Sequence, residues 1–341
     1  MPALSVLDLS PIPAGASARD ALANTVRLAE LAESIGARRY WLAEHHNAAS
    51  LASSAPEVLI ARVAAATRTL RVGSGGIMLP NHAALKVAET FRVLEALFPG
   101  RIDLGLGRAP GTDPRTARAL RRGVDVRPEE FAAQLDELVT YLDDDEVPRP
   151  PRPTSTVAIP VGVAPPEVFL LSSSDYGAAV AGERGLGFAF AHHMNPEGAA
   201  GEIARYRRAF RPSKQRPRPY AIASIGVVCG ETDAVAEELA SSGRLALVRM
   251  MQGQRDLPLP SVDEARAHPF DDEERAVLAA FEARAIVGGP ARVGERLAAL
   301  VDETGADELM VTTMVHDHAA RCRSYALLAD VVASLDAPFK P

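Results

Sequence analysis

Apolar residues along this chain keep two alternating rhythms. Short apolar runs bounded by glycine, proline or charge read as strands, and longer segments with apolar residues three and four apart read as helices. Leu4–Leu9, Arg39–Ala43, Leu70–Leu79 and Arg101–Leu106 have the first rhythm. Between them lie helical segments at Arg19–Ile35, Pro56–Thr69 and Ala83–Phe98. Gly36 stops the first of these, Pro56 opens the second where a missing N–H costs nothing, and Pro99-Gly100 ends the third. The spacing predicts further strands at Val168–Ser172, Gly187–Ala191, Tyr220–Val228 and Glu308–Met314. Helices are expected at Pro128–Leu142, Asp175–Arg184, Pro196–Phe210, Asp233–Met251, Glu273–Arg284, Val293–Glu303 and Arg321–Leu335.

Strand followed by helix, repeated, implies right-handed crossovers and a parallel sheet. The strand signals number eight, which fits a single (β/α)8 barrel over residues 1–341. A doubly wound open sheet is the rival, but it needs a phosphate loop after its first strand, and Ser10-Pro11-Ile12-Pro13 is not one. The rhythm breaks at Asp143–Pro166, acidic and then proline-rich, and again at Gln252–Phe270. Insertions are therefore expected at 145–166 and 252–285, after the fourth and seventh strands.

A hydrophobic content of 47% supports a large core, and a net charge of −7 argues against a general nucleic-acid surface. No apolar stretch approaches the ~20 residues that span a bilayer, and no signal peptide is visible. Cys229 and Cys322 lie far apart in sequence and suit a reducing cytoplasm.

Polar and glycine residues gather at the C-terminal ends of the strands, which in a barrel share one mouth. Glu44-His45-His46 follows the second strand. Successive residues on a strand face opposite ways, so His45 and His46 cannot both face one pocket. Gly75-Gly76 lie in the third strand, and Gly105-x-Gly107-x-x-x-Gly111 ends the fourth. The last run has the wrong spacing for a dinucleotide loop, and its prolines forbid an immediate helix; small residues here would let a flat ligand approach the backbone. Arg108 and Ser172-Ser173-Ser174, at the ends of neighbouring strands, point jointly to an anion: guanidinium matches phosphate, and a helix N-terminus offers free N–H groups. His192-His193 enrich the mouth in histidine, but no metal-ligand spacing appears and no metal is expected. Leu7, Ser10, Met78, Phe190, His192, His193, Met194 and Met314 form the expected pocket lining.

Taken together, Trp41–Asn47, Val72–Pro80, Val87–Asp103, Gly105–Gly111 and Gly289-Pro290 to Leu297 carry a resemblance. The chain resembles the bacterial luciferase-like flavin monooxygenases, nearest their alkanal-monooxygenase-like single-chain subgroup. The resemblance implies a (β/α)8 barrel whose mouth binds reduced FMN, supplied by a separate NAD(P)H:flavin reductase, and activates O2 to oxidise a small aldehyde- or ketone-like molecule. It implies a catalytic role for His45, with Gly75 and Gly76, often joined by a cis peptide, beneath the flavin ring. Arg108 beside Gly107 would hold the phosphate, with Ser173, Ser174, Tyr176 and Gly177 as the phosphate turn. Light-emitting members carry a reactive cysteine where this chain has Gly107, so light emission is not expected. The same barrel family includes F420-dependent hydride-transfer enzymes and a non-catalytic flavin-binding protein, and these stand as alternatives. A homodimer through the helices beside the second and third strands is expected, with Ala61, Ala64 and Ala65 forming a small face on Pro56–Thr69. Gln252–Phe270 is expected to act as a lid.

Overall fold

The computed structural model describes residues 2–122, 130–143, 156–281 and 284–335. In chain order these residues form β1 (Ala3–Asp8), α1 (Ala18–Ser34), β2 (Arg39–Leu42), α2 (Pro56–Ala66), β3 (Arg71–Met78), α3 (Ala84–Leu97) and β4 (Ile102–Gly107). They continue with α4 (Pro114–Leu120), α5 (Glu130–Leu142), β5 (Glu167–Ser172), α6 (Asp175–Glu183), β6 (Gly187–Ala191), α7 (Ala199–Ala209) and β7 (Ala221–Cys229). The last part holds α8 (Asp233–Met251), α9 (Val262–Ala267), α10 (Asp272–Phe281), β8 (Ala285–Gly288), α11 (Pro290–Thr304), β9 (Glu308–Thr312) and α12 (His318–Ser334).

Every strand pairing is parallel, and β1 to β7 follow one another in order. β9 lies between β7 and β1, which closes the ring at eight strands. The (β/α)8 reading of the sequence is thus the observed fold. Local chemistry sets the helix ends. Ser17 and Asp20 form a reciprocal capping box at the start of α1. Pro290 opens α11, and Gly305 ends it with φ +59°, a left-handed conformation that favours glycine.

The sequence missed one strand. β8 pairs only with the upper end of β7, Gly226–Cys229, outside the closed ring. The irregular stretch Gln252–Phe270 holds α9, α10 lies where a helix was expected at Glu273–Arg284, and Ala285, the last residue of the expected 252–285 insertion, begins β8. Much of 145–166, and the start of the helix expected from Pro128, lie outside the described residues.

The main core fills the space between strands and helices, and Phe190 belongs to it rather than to a mouth lining. A second cluster fills the barrel itself: Leu7, Trp41, Phe169, Ile222 and Met310. Trp41 meets Phe169 edge to face at 5.1 Å between ring centroids. Beneath them, at the N-terminal ends of the strands, an ionic cluster plugs the barrel. Arg39 reaches Asp103 at 2.9 Å and Glu308 at 2.9 Å, all three fully buried. Arg71 adds a second ion pair to Asp103, and Trp41 Nε1 donates to the same carboxylate at 3.0 Å. Burial would raise the Asp103 pKa, but the Arg39 and Arg71 charges outweigh it and hold the group below its usual range. Cys229 and Cys322 are free thiols. Among the described residues no helix is long and apolar enough to cross a membrane.

Arg39→Met should leave Asp103 and Glu308 buried without their shared cation. Such a break costs about 3–5 kcal/mol, to be read from urea unfolding midpoints. A loss below about 1 kcal/mol, within the range of exposed ion pairs, would show that the plug is dispensable.

Candidate active site

The mouth is organised by a carboxylate. Glu44, just past the end of β2, is only 1% exposed. His46 Nε2 and His82 Nε2 both donate to it at 2.9 Å, and the Met78 backbone N–H donates at 2.9 Å. It therefore joins the loop after β2 to the end of β3 and the turn that follows. Burial pushes its pKa up, but these donors outweigh that and hold it below its ordinary value. The same hydrogen bond raises the pKa of His82. His46 is thus a loop-holding residue. The Glu-His-His triplet was visible in the sequence, but Glu44 and His82 carried no expected role. Only the fold shows that residues 38 positions apart share a bond.

His45 is placed differently. Its backbone N–H is fixed to Ser53 O at 2.9 Å, while its buried Nδ1 has no hydrogen-bond partner. Burial pushes its pKa down to about 4, helped by the charges on His46 and His193. The unperturbed histidine value therefore does not apply. At neutral pH the ring is uncharged and can accept a proton or share a hydrogen bond, but it is not a resting acid.

Glycines make the β3–β4 wall. Gly75 and Gly76 are joined by a cis peptide bond. The β3–β4 register shifts there, with Gly75 opposite Gly105 and Ile77 opposite Leu106. A Cβ on Gly75 would lie 2.7 Å from Leu7 Cδ1, and one on Gly76 2.7 Å from Gly105 O. A Cβ on Gly107 would meet Met78 Sδ at 2.9 Å. Packing within the protein is itself a sufficient reason for these glycines, and their number needs no ligand to explain it.

Across β4 and β5 the expected anion residues come together. The exposed Arg108 guanidinium lies over the Tyr176 ring at 4.7 Å from the centroid. Among the described residues no carboxylate pairs with it. Ser174 is the N-cap of α6, yet its side chain makes no capping hydrogen bond. Its hydroxyl sits 3.3 Å from Ser172 Oγ instead, while Ser173 O accepts from Asn195 Nδ2 at 2.9 Å. The α6 start lacks a bond from its N-cap residue, although the Asp175 carboxylate accepts the Tyr176 N–H at 2.8 Å; its other free N–H groups beside the unpaired Arg108 have the chemistry of an anion site.

Several expected residues stand elsewhere. Gly177 is buried, and a Cβ there would overlap Ser172, so packing against that side chain is a sufficient reason for a glycine. Ser10 is fully buried with φ +50°, and it hydrogen-bonds Asp8 and Thr25 beneath α1 rather than lining the mouth. Leu7 packs in the barrel interior below Gly75. Met78 covers Gly107, and Met194 is 55% exposed at the rim. His193 is anchored through Nδ1 to Ser224 O at 2.9 Å. His192 is 9% exposed with an unpartnered Nδ1, and burial together with His193 and Arg296 lowers its pKa to about 4. The expected lid is tied down: Ala49 N–H donates to Arg255 O at 2.7 Å, Ala14 N–H donates to Leu259 O at 2.8 Å, and Leu259 N–H donates to Ile12 O at 2.8 Å. The segment from α8 thus reaches the loops after β1 and β2.

Glu44→Gln should cost about 1.5–3 kcal/mol, the worth of a charge-assisted bond, and should return the His82 pKa towards 6.5. The sign follows from linkage. The depressed Glu44 stabilises above its unfolded value of 4.5 and loses that as pH falls, whereas the raised His82 stabilises below 6.5 and loses that as pH rises. The stability gap between wild type and variant should therefore peak between pH 4.5 and 6.5. Histidine NMR titration and urea melts across pH check both; an unmoved His82 would refute the pairing.

The sequence profile of the luciferase-like monooxygenases matches residues 3–308. A luciferase-like monooxygenase of Escherichia coli (strain K12) is 42% identical over 333 residues, covering 98% of each chain. The N-acetyl-S-alkylcysteine monooxygenase of Bacillus subtilis (strain 168) is 35% identical, covering 96% of this chain and 98% of that one. The crystal structure of apo-MsnO8 superposes with a TM-score of 0.90 at 39% identity, over 98% of this chain and 99% of its own. The chain belongs to the luciferase-like monooxygenase family and is an oxidoreductase that incorporates molecular oxygen.

Proposed function

We propose that the protein is the oxygenating component of a two-component flavin monooxygenase, which takes reduced FMN from a separate NAD(P)H:flavin reductase and oxidises a small organic molecule, aldehyde- or ketone-like, without emitting light. The observation that carries the reading is the pairing of an unpaired Arg108 and an uncapped α6 start on one side of the mouth with the orphaned His45 Nδ1 at its edge. These residues fit the group. Arg108, Ser173, Ser174 and the first N–H groups of α6 would hold the phosphate, and the Gly75–Gly76 and Gly105–Gly107 wall would lie beside the ring. When bound, reduced flavin supplies the electrons and activates oxygen.

The chain's own residues do the rest. Tyr176 holds the Arg108 guanidinium in place through its ring face. Glu44 fixes the loops around the mouth. Neutral His45 accepts a proton from the substrate or from the bound group and returns it. The tethered segment from Arg255 to Leu259 limits water entry beside β1 and β2. In solution the reading includes a homodimer through α2 and α3, where Val58, Val93 and Leu97 are exposed.

F420-dependent hydride transfer is the second reading. It shares the barrel and the mouth histidine, and flavin binding separates the two. Arg108→Ala should weaken FMN about tenfold or more, since a charge-assisted hydrogen bond is lost. Flavin fluorescence titration measures it, and unchanged affinity would refute the phosphate site.

His45→Ala should reduce product formation roughly 10²–10⁴-fold, the range for a lost proton-transfer group, with FMN affinity little changed. Single-turnover product analysis with reduced FMN, O2 and a long-chain aldehyde reads this. A larger loss in His46→Gln than in His45→Ala would show that the other histidine does the chemistry.

A further inference from the structure

A second cavity of about 330 Å³ opens between α8, β8, α11 and the upper ends of β7 and β9. Four arginines line it: Arg244, Arg284, Arg292 and Arg296. Among the described residues, Arg244 and Arg292 each have an acid beside them. Glu237 pairs with Arg244 at 2.6 Å, and Asp233 reaches Arg292 only at 3.9 Å. Among the described residues no carboxylate lies within ion-pair distance of Arg296. A local excess of positive charge in a chain of net charge −7 is a specific arrangement, not a reflection of composition.

The wall facing these arginines is mixed. Thr312 Oγ1 is buried there without a hydrogen-bond partner. Such an atom destabilises the fold unless a ligand or water satisfies it. Val227, Leu247, Leu278 and Met314 supply apolar surface. A cationic rim over an apolar wall suits an amphipathic anion, because guanidinium binds carboxylate through paired hydrogen bonds while the stem is buried.

The cavity also adjoins the mouth. Gly226 and Thr312, in register with each other on β7 and β9, belong to the barrel wall. Burial is the main cause of the lowered pKa values of His193 and His45; Arg284 adds to the first and His193, after His46, to the second. Arg296 acts likewise on His192. Arg108 follows β4, whereas this cavity lies at β7 and β9, so the two cationic sites occupy different parts of the rim.

We propose that this cavity binds the carboxylate of an organic-acid substrate, held by Arg292, Arg296 and Thr312 with its apolar stem directed past Met314 towards the mouth. The proposal rests on the oxygenase reading for what happens at the other end of the stem. It adds that the preferred aldehyde- or ketone-like substrate carries a carboxylate at the far end of its stem.

Calorimetric titration with decanoate, decanol and inorganic phosphate tests it. Decanoate should bind about tenfold or more tightly than decanol, the worth of a charge-assisted contact. The Arg292→Gln/Arg296→Gln double variant, at two exposed positions of α11, should lose most of that margin, and Thr312→Val should lose part of it. Decanol affinity, and FMN affinity by flavin fluorescence, should stay unchanged in both variants. Equal binding of decanoate and decanol by the wild type would overturn the proposal without any variant. So would phosphate binding as tightly as decanoate, or a double variant with undiminished decanoate affinity. Decanoate selectivity in a wild type that fails to bind FMN would uphold the acid site and refute the flavin reading, so the two failures are distinguishable.

Discussion

One buried carboxylate holds the mouth of this barrel together. Glu44 sits where three chain segments meet, and each donates to it: the loop after β2 through His46, the end of β3 through the Met78 N–H, and the following turn through His82. A buried, ionised carboxylate is stable only with such donors. The loops therefore cannot move apart without stranding a charge. That constraint leaves His45, the residue between the two ends of the Glu44–His46 bond, half-buried with a free nitrogen.

The two ends of the barrel divide the electrostatic work. At the closed end, charges are buried and matched: Arg39 and Arg71 against Asp103 and Glu308. At the open end, His45 and His192 are kept neutral by burial, and cations stand at the rim with few acids against them. Buried nitrogens without a hydrogen-bond partner occur at both ends: His45 Nδ1 and His192 Nδ1 at the mouth, and Arg39 Nη2 in the plug. Each such atom calls for a partner, whether water, ion or ligand.

Much of this was legible in the sequence. The alternation of strand and helix gave eight strands of the closed ring, because their apolar runs are long and turn residues bound them. That Arg108 and the segment after β5 would lie side by side was readable because strand ends converge in any such barrel. Other features were hidden for physical reasons. β8 is a run of four residues after a broken stretch, too short to show a period. Ser10 looked like a mouth residue, but its positive φ turns it to Asp8 and Thr25. The close approach of Ser172 to Gly177, which leaves no room for a side chain, is a contact that only the fold reveals. The pKa of His45 depends on burial, which no motif encodes. The arginine cavity draws on α8, α11 and the start of β8, whose proximity only the fold reveals.

The central claim is that the mouth is built for reduced FMN. Anaerobic titration of the protein with photoreduced FMN, followed by competition with reduced F420, tests it most directly. The account predicts one equivalent of reduced FMN bound per chain and no displacement by equimolar F420. Stoichiometric binding of F420 with no binding of reduced FMN would contradict it.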